Sequence, residues 1–117
     1  MRPFENLRVW QLAHELAVDV WHLTHGFPRE EQFVLVSQMR RAAMSVPSNI
    51  SEACGLETMR QLHKHAVIAS GSSSELQYHF LLARDLGYPA AGPYTTFSGK
   101  LVEVRKLLAG FAGWTAS

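Results

Sequence analysis

Three things are scarce in this 117-residue chain: cysteine, net charge and long apolar runs. A single cysteine, Cys54, excludes an intramolecular disulfide and suits a reducing compartment. Eleven Lys and Arg against ten Asp and Glu leave a formal charge of +1, so the chain lacks the strong basic balance that advertises nucleic acid. No apolar stretch is long enough to span a bilayer. The N-terminus has no charged segment followed by an apolar one, as a secretory signal would. A cytoplasmic, non-membrane protein is expected. Disorder is excluded by composition: 47% hydrophobic and 18% charged residues can bury a core. The length fits one domain, taken as residues 1–117.

What is present is helical periodicity. Glycine and proline gather at three breaks, His25-Gly26-Phe27-Pro28, Cys54-Gly55-Leu56-Glu57 and Gly87-Tyr88-Pro89-Ala90-Ala91-Gly92-Pro93. Each intervening segment carries one apolar stripe at helical spacing: Val9, Leu12, Ala13, Leu16, Val20 and Leu23; Leu35, Met39, Ala42, Val46, Ile50 and Ala53; Leu62, Ala66, Ala69, Ser73, Leu76, Phe80 and Ala83; Phe97, Leu101, Val104, Leu108 and Phe111. Short connections make neighbouring helices antiparallel, which predicts an all-α, up-down-up-down four-helix bundle. Pro28 before Arg29-Glu30-Glu31 reads as a helix start, Thr58 as the cap of the third helix, and Thr95 or Thr96 as the cap of the fourth. The stripe continues in register across Pro47, so the second helix is read as one helix kinked there. Small residues at Gly71, Ser72, Ser73 and Ser74 are expected to let a neighbouring helix approach closely.

Three sets of residues are candidates for function. The first helix has a second apolar stripe, Leu7, Trp10, Ala17 and Trp21, which widens its apolar arc beyond the roughly 100° a one-sided helix needs. It reads as a subunit interface or as the edge of a wide monomer core. The second helix carries a polar row, Gln38, Arg41, Ser45, Asn49 and Glu52. With a turn near Leu56, Arg41 would lie level with Ser72, Gln38 with Glu75, and Asn49 and Glu52 would approach Arg60 and Lys64. A half-buried polar row needs partners, so this is read as a structural network that fixes register, with a ligand site as the other reading. Arg40, Arg60, Lys64, Arg105 and Lys106 are the candidate nucleic-acid patch, set against a solvated mixed-charge face that includes Glu57.

Catalytic equipment is not evident. Asp19, His22 and His25 can share a helical face, but His25 sits at the helix end and no fourth ligand is apparent. His63 and His65, two apart, point in different directions. Cys54 has no activating base, and the serines at 72–74 lack a nucleophile-elbow context.

The stretch LVSQMRRAAMSVPSNISEA, Leu35 to Ala53, resembles the signature of the four-helix-bundle proteins of 23S ribosomal-RNA intervening sequences. Further matches are Phe4-Glu5-Asn6-Leu7-Arg8-Val9-Trp10, Ala69-Ser70-Gly71-Ser72 with Glu75-Leu76, and Leu86-Gly87-Tyr88. The usual Asn-Ile-Ala-Glu-Gly element appears here as Asn49-Ile50-Ser51-Glu52-Ala53. The resemblance implies a bundle that assembles as a ring-like homopentamer and supplies no catalytic residues or cofactor. The related accessory variability proteins of diversity-generating retroelements bind reverse transcriptase and nucleic acid through a basic surface. The expectation is therefore a non-enzymatic, homo-oligomeric scaffold or adaptor, with RNA or an RNA-associated protein as partner. The alternatives are a small-molecule or metal site between the helices and purely structural self-assembly.

Overall fold

The computed structural model describes residues 3–55, 58–88 and 91–116, without the side chains of 91–95 and 114–116. Four helices carry the fold: α1 (Arg8–Thr24), α2 (Ser37–Cys54), α3 (Met59–Asp85) and α4 (Ala91–Ala116). No strand occurs among the described residues. Each helix packs on its two neighbours in the cyclic order α1, α2, α3, α4. The result is a bundle of 43 × 24 × 20 Å.

The apolar stripes meet along its axis. Every position of the α2 and α3 stripes is buried, as are Val9, Ala13, Leu16, Val20 and Leu23 of α1 and Leu101, Val104 and Leu108 of α4. Removing these surfaces from water is the main drive for assembly, at about 25 cal/mol per Å² of apolar area. Phe97 is half-buried and packs against the same core.

The connections differ in detail from expectation. Pro28 does open a helical run, but that run begins as a 3-10 turn (Arg29–Glu31) and a single π turn (Gln32–Val36), and α-helix begins only at Ser37. Pro47 lies within an unbroken α2. Thr58 caps α3 in a reciprocal capping box: its hydroxyl accepts from Gln61 N, and the Gln61 side chain accepts from Thr58 N. Neither Thr95 nor Thr96 caps α4, because that helix begins at Ala91 and takes Pro93 into its first turn, where a proline costs no intrahelical bond. Gly87 closes α3 at φ +82, the left-handed conformation that glycine adopts without strain. Leu56, Glu57, Pro89 and Ala90 of the expected breaks lie outside the described residues.

The small residues of α3 act differently from each other. Ser72 and Ser73 face inward, and Ser72 touches α2 through its hydroxyl. Gly71 is exposed, and a Cβ there would meet nothing within 4 Å, so it takes no part in the close approach. Along the α1/α4 seam, Lys100 donates to Asp19 at 2.6 Å and to Glu15 at 3.3 Å. The Asp19 hydrogen bond holds the ammonium above its usual pKa, against the opposing effect of partial burial.

Candidate functional site

The polar row on α2 meets α3 as a connected chain. Asn49 Nδ2 donates to Ser45 O at 2.8 Å and to Ser45 Oγ at 3.1 Å. Ser45 Oγ, thus accepting, can donate to Ser72 Oγ at 2.7 Å. On its other side Asn49 Oδ1 lies 2.9 Å from His65 Nδ1, and Glu52 Oε2 stands 3.8 Å from that nitrogen. A carbonyl-type oxygen can only accept, so this contact assigns the proton to Nδ1 of His65. Ser45, Asn49 and Glu52 are therefore brought together, but around His65 rather than Arg60 or Lys64. The helices are offset by up to a turn from the expected register: Ser45, not Arg41, stands opposite Ser72.

The other members of the row lie apart. Arg41 is exposed and donates to its neighbour Gln38, at 3.5 Å. Glu75 sits 3.9 Å from His79 on its own helix. His65, Ser72 and His79 recur every seven residues along α3, which places them on the flank facing α2. That spacing was the available signal for His65. His79 is buried, and its Nδ1 has no hydrogen-bond partner among the described residues. Burial lowers its pKa, and the nearby Glu75 carboxylate opposes that only in part.

The second stripe of α1 divides. Leu7, Trp10 and Ala17 are half-buried and pack against the core. Trp10 lies between Phe4 and a stacked His14, each ring centre 5.0 Å away. Trp21 is 43% exposed and lies under the Arg40 guanidinium, which is 4.1 Å above its ring. Arg40 is fixed there by donating to Thr24 Oγ1 at 2.8 Å and to Trp21 O at 3.2 Å.

Trp21 and Met44 belong to one groove between α1 and α2, which runs from Trp10 past Pro47 and on to Phe33. Met44 is 52% exposed, Val34 62% and Phe33 86%. These three were not singled out from the sequence, although Phe33-Val34-Leu35-Val36 carried the signal. Four consecutive apolar residues cannot all face one side of a helix. Leu35 and Val36 are buried, and the π turn carries Phe33 and Val34 outward.

The five basic residues do not form one patch. Arg40 is turned onto α1 near its C-terminus. Arg60 and Lys64 are exposed in the first turns of α3, at the opposite end of the antiparallel bundle. Arg105 spans from α4 to α3, donating to Gln77 Oε1 and, at 3.0 Å, to Ser74 Oγ. Lys106 beside it is exposed.

For metal chemistry, Asp19 is engaged by Lys100, and among the described residues no three His, Cys, Asp or Glu side chains come together. The Cys54 thiol is buried, which pushes its pKa up and away from the reactive thiolate. Among the described residues no helix is long and apolar enough to cross a membrane.

Residues 5–110 match the sequence profile of the family described as 23S rRNA-intervening sequence protein. No curated protein matches the chain. Its fold is similar to a crystal structure from Bacteroides thetaiotaomicron described as a protein with unknown function from the S23 ribosomal protein family. The two are 24% identical, with a TM-score of 0.82 over 90% of this chain and 95% of that one.

Proposed function

Because this chain belongs to the 23S rRNA-intervening sequence protein family, we propose that it is a non-catalytic helical bundle that self-associates in the cytoplasm and serves as a scaffold or adaptor for RNA or an RNA-bound protein. The observation that carries the reading is the α1/α2 groove. Trp21, Met44 and Phe33 form a contiguous exposed apolar surface of the kind monomers avoid, and a second copy would cover it. The resemblance supplies five as the expected number of subunits.

Arg60 and Lys64 support the RNA partner only through assembly. A pair of exposed cations is weak alone, and repetition around a ring multiplies the phosphates it can neutralise. Sedimentation at micromolar concentration tests the first half: a monomer removes self-association. Trp21→Glu should then dissociate the assembly and leave a helical monomer. Filter binding of single-stranded RNA across a salt series tests the second half, with steeply falling affinity expected. Absence of binding at low salt would remove the RNA partner and leave the scaffold.

A further inference from the structure

A second apolar surface lies across the bundle from the α1/α2 groove. Between α3 and α4 runs a cleft of about 510 Å³, within the roughly 300–1,000 Å³ usual for binding clefts. Phe80 and Leu101 form its floor, and Tyr78, Leu81 and Val102 are exposed along it. In the cyclic order of the helices, the α3/α4 face is the one opposite α1/α2.

The two surfaces occupy the same height. With Ser45 opposite Ser72 in antiparallel helices and a common rise of about 1.5 Å per residue, Phe33 projects to the level of Arg84 and Met44 to that of Ser73. The cleft runs between Ser74 and Arg84.

Shape and charge are complementary as well. Phe33, 86% exposed, stands out from its π turn, whereas the cleft recedes. Glu30 and Glu31 precede Phe33 and outnumber Arg29. The cleft is lined by Arg84, whose Nε is held 3.1 Å from Asp85, and no acid is among its described lining residues. Arg105 adds a second cation at its lower end, beside Ser74.

We propose that these surfaces are the two halves of one head-to-tail contact: the Glu30–Val34 corner of one copy, with Phe33 at its tip, docks in the α3/α4 cleft of the next. The proposal rests on the self-association reading and specifies its partner surface. A contact between unlike surfaces leaves one of each unfilled at the ends, so growth continues until a ring closes. Similar heights are compatible with a closed ring whose axis runs parallel to the bundle.

Sedimentation of four samples tests this: wild type, Phe33→Glu, Val102→Glu, and an equimolar mixture of the two variants. Both residues are exposed, so each variant should keep the helical circular dichroism of wild type. Each should raise the dissociation constant about 100-fold, the cost of losing one central contact. The mixture should form a 1:1 dimer and nothing larger, because Phe33→Glu retains an intact cleft and Val102→Glu an intact corner. A monomeric wild type would remove self-association itself. A wild-type assembly that Val102→Glu leaves intact, or variants that fail to pair when mixed, would overturn the head-to-tail contact alone.

Discussion

Lowering the pH from 7.5 to 5.5 should destabilise the bundle through His79, and replacing that residue should remove the effect. His79 is buried, its Nδ1 is unpartnered among the described residues, and its Nε2 is 3.9 Å from Glu75 Oε1. Burial lowers its folded pKa below the ordinary value of 6.5, with Glu75 opposing. Above pH 6.5 the ring is neutral whether the chain is folded or unfolded, and its contribution is fully present. Between 6.5 and the lowered folded value, the unfolded chain takes up a proton that the folded chain refuses. Stability then falls with pH by up to about 1.4 kcal/mol per unit. Below the folded value the loss stops growing.

His79→Leu removes both the titration and the orphaned nitrogen, whose burial costs about 1–3 kcal/mol. The variant should therefore match or exceed wild type at pH 7.5, and its advantage should grow as the pH falls to 5.5, by no more than about 1.4 kcal/mol per unit. Urea unfolding followed by circular dichroism at fixed protein concentration measures both chains at each pH. The two chains differ only at residue 79, so the difference between their profiles isolates His79. Parallel pH profiles for the two chains would refute the reasoning.

Thr24→Val should cost about 1–2 kcal/mol in urea unfolding, since Thr24 is buried and accepts from Arg40 Nε while donating to Val20 O at 2.8 Å. It should also shift tryptophan fluorescence as Arg40 loosens from Trp21. A double-mutant cycle of Ser45→Ala and Ser72→Ala should give a coupling of about 0.5–1.5 kcal/mol; strict additivity would mean that the hydroxyls do not bond. Thr58→Ala should lower stability by about 1 kcal/mol through loss of the α3 cap, read in the same assay. Lys100→Met should cost about 1 kcal/mol at neutral pH. That difference should disappear as pH rises past 10.5 through the raised folded pKa, because the lysine then loses its charge in both states.

Much of the architecture was legible in the chain because its physical cause is local. A stripe at helical spacing can be buried only on one side of a helix, and short breaks leave the next helix no course but back alongside. The stripes of Leu35 to Ala53 and Leu62 to Ala83 accordingly line the core, and Thr58 caps its helix through a partner three residues away. The polar row on α2 was also readable as a row in need of partners. Its partner was not. Whether Asn49 meets Lys64 or His65 depends on an offset of a fraction of a turn, set by how the side chains of two helices interlock.

Self-association was anticipated from the stripe of Leu7, Trp10, Ala17 and Trp21 and from the family resemblance, and the packed chain divides that stripe. One sequence pattern on α1 carried both residues, but only packing separates Trp10, turned onto the core, from Trp21, left half in water beneath Arg40. The same holds for the basic residues: sequence determines their charge, while the packed helices decide that Arg40 and Arg105 are engaged and Arg60 and Lys64 are exposed. Sequence by itself determined the helices, the Thr58 cap and which face of each helix is apolar, since these follow from spacing along one segment. Tertiary structure alone decided the register, the outward turn of Phe33 and the cleft opposite it, because each depends on which atoms of distant segments come within reach.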